Sequence, residues 1–129
     1  MNKIHIETSV GELIDKITIL EIKKEKISDQ KSLDIINIEY SSLKKSMEKS
    51  LKINNEIKKL WGQLKEVNLK LWEIEDNKRL AEKNKKFDEK FIELARSVYK
   101  FNDLRAKIKS KINQLSGSTI KEIKQYTEY

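Results

Sequence analysis

The sequence has no cysteine, so a disulfide framework and a thiolate metal site are both excluded. It has no proline, so no helix in it is broken by that route. Only three glycines occur, Gly11, Gly62 and Gly117. The single histidine, His5, lies near the N-terminus, so no His-x-x-x-His or Glu-x-x-His pair exists. Di-iron bundle sites and zinc sites need such ligands, and no metal or cofactor is expected. Glycine-rich nucleotide fingerprints are absent. No apolar run approaches the roughly 20 residues of a membrane span, and no signal-peptide apolar core is visible. The cytoplasm is the expected location.

What the chain does have is charge. It carries 28 basic and 21 acidic residues over 129 positions, a formal +7. The excess is spread thinly, with acids interleaved along the whole length, which reads as a solvated lysine coat. A nucleic-acid surface would concentrate the excess on one face, so nucleic-acid binding is disfavoured. Only Arg79, Arg96 and Arg105 among the basic residues are arginine. In a lysine-rich chain these mark positions where a flat, multi-donor guanidinium is needed.

Apolar residues recur at steps of three and four over two long stretches. Ile57, Leu60, Leu64, Val67, Leu71 and Ile74 form one seam. Phe91, Leu94, Val98, Phe101, Ile108, Ile112 and Leu115 form the other, with Arg105 inside it. This is coiled-coil spacing, and it predicts a long helical hairpin. Helices are expected at about 10–27, 32–48, 55–84 and 89–115 in one domain, 1–129. The third would be about 45 Å long at 1.5 Å per residue. Lys3 to Glu7 alternates, with Ile4 and Ile6 on one side, which suits a short extended arm at about 2–8. A tail, 116–129, retains Ile120, Ile123, Tyr126 and Tyr129. The fold class is therefore all-α: an antiparallel helical bundle built on a long hairpin, with a short extended N-terminal arm.

Local signals support these boundaries. Ser9-Val10-Gly11-Glu12 fits a capping box, in which the Glu12 carboxylate reaches back to the Ser9 amide. Asp88 suits an N-cap, with Phe87 and Ile92 as a hydrophobic staple around it. Gly117 suits a helix stop. Lys107, Lys109 and Lys111 suit the negative pole of the last helix. The first helix has an apolar surface wide enough to need neighbours on more than one side. Asp15, Lys16, Glu21 and Lys23 are then forced near the edges of packed surfaces.

Three stretches together resemble a family of small bacterial and phage proteins of unknown function. They are Ser9-Val10-Gly11-Glu12 leading into Ile14-Asp15-Lys16-Ile17-Thr18-Ile19-Leu20-Glu21-Ile22-Lys23; Leu71-Trp72-Glu73-Ile74-Glu75-Asp76; and Phe91-Ile92-Glu93-Leu94-Ala95-Arg96-Ser97-Val98-Tyr99 with Asn102, Asp103 and Arg105. The resemblance implies a one-domain helical protein, with genes often near glycan-assembly genes. It also implies that Asp15, Lys16, Glu21, Glu73, Asp76, Arg96, Tyr99, Asn102, Asp103 and Arg105 matter. It implies no reaction.

An arginine in or beside an apolar seam must find a carboxylate or bear a desolvation cost of several kcal/mol. Arg96, Arg105, Asp103, Asn102 and Tyr99 are therefore expected to join acids of the first and third helices in a partly buried network. Glu73, Glu75 and Asp76 are expected to pair with arginines rather than hold a cation. Trp61 and Trp72 share a face and suit a core or oligomer contact. The resulting reading is a non-enzymatic interaction or assembly protein that self-associates, a dimer before other oligomers, with scope for a further protein partner. The alternative is a protein or mutase-like enzyme that grips a small phosphate or carboxylate with Lys16, Arg96, Arg105, Asn102 and Tyr99. A short likeness of Ile14–Ile17 to the first helix of chorismate mutases points the same way.

Overall fold

Each helix begins on a short polar side chain that accepts a backbone N–H three residues on. Ser9 accepts from Glu12 at 3.1 Å, Asp29 from Ser32 at 3.0 Å, Asn54 from Ile57 at 2.9 Å and Asp88 from Phe91 at 3.2 Å. Each cap satisfies a donor that the helix cannot, for about 1 kcal/mol. The computed structural model describes residues 2–120 and 122–129; Lys121, in the expected tail, lies outside them. Among the described residues the helices are α1 (Val10–Lys26), α2 (Gln30–Ser50), α3 (Asn55–Lys83) and α4 (Glu89–Ser116). The sequence reading begins the second helix at about Ser32. It starts at Gln30 because Asp29, not a later residue, is the cap. α4 stops at Gly117, whose φ of 68° is left-handed backbone that favours glycine. Residues 2–9 have no regular secondary structure, and Ile4 and Ile6 are exposed.

α3 and α4 form the hairpin. α1 packs against α2, α3 and α4, whereas α2 makes its close backbone approach to α1 alone. The hub is thus α1, the helix with the widest apolar surface. Ile14, Ile17, Leu20 and Ile22 are all buried, although Ile22 lies off its main apolar stripe. The core joins Ile14 and Ile17 to Met47, to Ile57, Leu60, Leu64 and Val67 on α3, and to Ile108 and Ile112 on α4. The seam spacing of α3 and α4 does its work here. Leu115, at the end of that seam, is exposed.

Two local devices differ from their sequence reading. The Glu12 carboxylate does not fold back on Ser9; it bonds Lys109 Nζ at 2.7 Å. The ammonium on the packed neighbour α4 takes the carboxylate instead. Phe87 lies edge-on to Phe91, centroids 5.3 Å apart, while Ile92 points outward. No helix among the described residues is long and apolar enough to cross a membrane.

α1 can lie this deep because Gly11 has no side chain. A Cβ there would stand 2.6 Å from the Lys109 carbonyl oxygen and 2.9 Å from Asn113 Oδ1. The Gly11 N–H donates to that same Asn113 oxygen at 2.7 Å. Gly62 differs: nothing within 4 Å would meet its Cβ. We predict that Gly11→Ala destabilises by about 1–3 kcal/mol, through forced displacement of α1. Gly62→Ala should stabilise by up to about 1 kcal/mol through helix propensity. Paired denaturant titrations check both; equal effects would remove the close-approach argument.

Candidate functional site

Asp15 is 1% exposed, yet it carries a carboxylate into the centre of the bundle. Its position follows from the wide apolar face of α1, which leaves no solvated side for residue 15. Arg105 of α4 answers it with two parallel bonds: Nε to Oδ1 at 2.8 Å, and Nη2 to Oδ2. Asn68 of α3 donates to Asp15 Oδ1 at 2.9 Å and to the Thr18 hydroxyl at 2.9 Å. Thr18 in turn donates to the Asp15 carbonyl at 2.7 Å. Three helices therefore meet in one polar network with its hydrogen bonds made. The Arg105 guanidinium is pushed above its ordinary pKa by its bond to Asp15, against the opposing effect of burial. It is a permanent cation here.

One turn along α4, Lys109 forms a second tie. It is buried between Glu12 at 2.7 Å and Glu122 at 2.8 Å. Burial works against its charge, but the two carboxylates outweigh that and hold its pKa above the ordinary lysine value. Glu122 is held below the ordinary carboxylate value by the Lys109 hydrogen bond. The C-terminal tail is thereby fastened beside the N-terminus of α1.

The other residues singled out by sequence scatter around this centre. Asn102 accepts from Arg105 Nη1 at 3.4 Å and belongs to the network. Asp103 and Tyr99 face the tail instead: Tyr99 packs edge-on to Tyr129, and Asp103 raises the Tyr129 pKa through a hydrogen bond. Lys16 pairs with Glu39 at 3.1 Å on the surface. Glu21 accepts from the Trp61 indole at 2.8 Å, and Lys65 lies 2.9 Å from Glu25. The Glu25 bond raises the Lys65 pKa and lowers that of Glu25. Glu73 is exposed, 3.9 Å from Lys70; Glu75 pairs with Arg79 at 3.4 Å along its own helix. Asp76 and Arg96 are exposed. Arg96 and Arg105, about two and a half turns apart, project from opposite sides of α4, and only the face carrying Arg105 turns to α1.

Three participants escaped the sequence reading of the network. Thr18 had a signal, a lone hydroxyl inside Ile17–Ile22. Asn68 had one too, an amide between Val67 and Leu71. Lys109 had none, since it is one lysine among many.

The cleft beside Arg105 holds about 280 Å³. Ile19, Ile22, Leu71, Trp72 and Val98 form its walls, with Asn68, Asn102 and Arg105 at its floor. Farther along, the hairpin runs on past α1. Leu80, Phe87 and Ile92 are 54%, 52% and 49% exposed there.

The fold and this site define an antiparallel four-helix protein with a buried arginine–carboxylate centre. The chain belongs to a family of unknown function (DUF6165), whose sequence profile it matches over residues 4–128. No curated protein and no solved structure matches it.

Removing one partner of a buried ion pair strands the other, at about 3–5 kcal/mol. We predict losses near the lower end of that range for Arg105→Ala, whose side chain is 27% exposed, and for Asp15→Ala. The double variant should lose clearly less than their sum; additive losses in a double-mutant cycle would show that the pair is not coupled. For Glu122, a folded-state pKa below the ordinary 4.5 means that its contribution is fully present above that value. It is lost as pH falls through the lowered value. Acid titration should therefore release the tail before the core, read by amide exchange of the residues around Glu122, and Glu122→Gln should abolish the step. A step that persists in that variant would place its origin elsewhere.

Proposed function

We propose that this protein is a non-enzymatic helical interaction and assembly protein that associates with a second copy through the projecting end of the α3–α4 hairpin. The observation that carries the reading is the half-exposed apolar set Leu80, Phe87 and Ile92, on a hairpin that outruns the helix covering its base. α1 has 17 residues and α3 has 29, so at 1.5 Å per residue α3 is longer by roughly 18 Å. Such a hairpin end buries its apolar stripe by meeting its own copy across a two-fold axis, as bundle halves do.

Charge favours a second copy over a partner of one sign. Lys78, Arg79 and Lys83 interleave with Asp76, Glu82 and Glu89 around the apolar residues. A two-fold contact sets such mixed rims against each other in complementary fashion, whereas nucleic acid needs a basic face. The buried Asp15–Arg105–Asn68 network supports the same reading. It holds α1 at one depth, and so fixes how much hairpin stays uncovered. The alternative of an anion-gripping enzyme is the weaker one, because Asp15 already takes one fork of Arg105, the one arginine that reaches the interior among the described residues.

The test is mass as a function of concentration by sedimentation. The wild-type protein should approach twice its monomer mass well below about 1 mM. Leu80→Glu combined with Ile92→Glu should hold it monomeric with an unchanged melting midpoint, since both side chains are exposed in the single chain. A wild-type protein that stays monomeric throughout would refute the proposal. So would a dimer indifferent to both substitutions.

A further inference from the structure

The Arg105 cleft has a hydrogen-bonding pattern of its own. A guanidinium has two usable forks. Asp15 takes the one made by Nε and Nη2. The other, made by Nη1 and Nη2, belongs to a side chain that borders the cleft, where Asn102 Oδ1 stands 3.4 Å from Nη1. Because Asn102 uses its oxygen on Arg105, its amide N–H groups are the atoms it can offer a ligand. Asn68 is the reverse: its N–H groups go to Asp15 and Thr18, which leaves its carbonyl oxygen as the acceptor. The cleft floor therefore combines donors from Arg105 and Asn102 with an acceptor from Asn68. Above it stand the apolar walls, Trp72 among them.

Charge decides what such a floor will take. Arg105 and Lys109 are two cations, and they interact with three carboxylates, Asp15, Glu12 and Glu122. Lys124, 3.7 Å from Glu122, is a third cation, and Glu75 at the cleft edge is matched by Arg79 at 3.4 Å and Lys78 at 3.8 Å. Asp15 already matches the charge of Arg105, so a phosphate or carboxylate entering here is disfavoured: it finds no unpaired cation to offset its desolvation. A neutral carbonyl group is not. It can accept from the guanidinium fork while a neighbouring N–H donates to Asn68.

We infer that this cleft binds a small neutral molecule whose flat apolar body carries an amide or lactam group. The body lies against Trp72 and the aliphatic walls, and the amide meets Arg105, Asn102 and Asn68. The site is separate from the hairpin end, so its test does not depend on self-association.

The probe is benzamide, compared with benzoate and inorganic phosphate on the intact protein. The reporters are the two indole N–H signals in a nitrogen–proton correlation spectrum. Trp72 lines the cleft, whereas Trp61, about three turns back along α3, is bonded to Glu21 outside it and serves as the control. Benzamide should shift the Trp72 signal saturably, with half-effect near about 10 mM for a fragment of this size, and leave Trp61 still. Benzoate and phosphate should bind at least about tenfold more weakly. Asn102→Leu should weaken benzamide severalfold while the rest of the spectrum keeps its folded pattern. Val98→Phe, which fills the cleft from its wall, should abolish the shift. The inference is overturned if Trp72 shows no saturable shift, if both indoles move together, or if the anions bind as well as the amide.

Discussion

A carboxylate buried at the centre of a small bundle is costly unless a cation reaches it with good geometry. Asp15 and Arg105 meet that condition with two parallel bonds, and Asn68 and Thr18 complete the set. The dependence runs through α1. If α1 slipped one turn along the groove, about 5.4 Å, Asp15 would lose Arg105 and face the aliphatic side chains of the seam. The same slip would carry Gly11 away from the Lys109 carbonyl and drive a larger residue into that gap. One ion pair and one absent side chain thus set the depth and register of the helix on which the other three depend.

From that register the outer features follow. α2 reaches the bundle through α1, which leaves Ile35 and Ile38 on its outer side exposed. α1 ends short of the hairpin tip, which leaves Leu80, Phe87 and Ile92 without an intramolecular cover. Lys109 gathers the start of α1 and the C-terminal tail onto one ammonium, so both ends of the chain are tied to the same turn of α4. The Arg105 cleft opens where α1, α3 and α4 diverge above the polar network. The uncovered hairpin tip and the Arg105 cleft are therefore consequences of one packing arrangement, both on the tip side of the contact that α1 makes.

Much of this was legible one residue at a time. The helix starts at Ser9 and Asp88 and the stop at Gly117 are local chemistry, complete within a turn of backbone. The seam residues Ile57, Leu60 and Leu64 are equally plain, because a spacing of three and four has one meaning for a soluble chain. Arg105 stood out as the arginine inside an apolar seam. Arg96, read as its equal, is exposed. The difference is one of helix rotation, which periodicity alone leaves open when both faces carry apolar residues. Lys109 shows the opposite failure. Its neighbours Lys107 and Lys111 are solvated, and nothing in its type or spacing sets it apart from them. Its burial comes from Glu12 and Glu122, which approach from the two ends of the chain.

The sequence by itself determined the elements: four helices, their ends to within about two residues, and the apolar stripes that must be covered. These rest on interactions between residues three or four apart, which any reader of the chain can pair. Tertiary structure alone decided which polar groups meet. Asp15 finds Asn68 across 53 residues and Arg105 across 90. Several acids could have served either partner equally well by charge. The choice fell to Asp15 because packing α1 against three neighbours removed water from that position and from no other carboxylate among the described residues to the same degree. Desolvation makes the pairing obligatory, and desolvation is a property of the assembled fold.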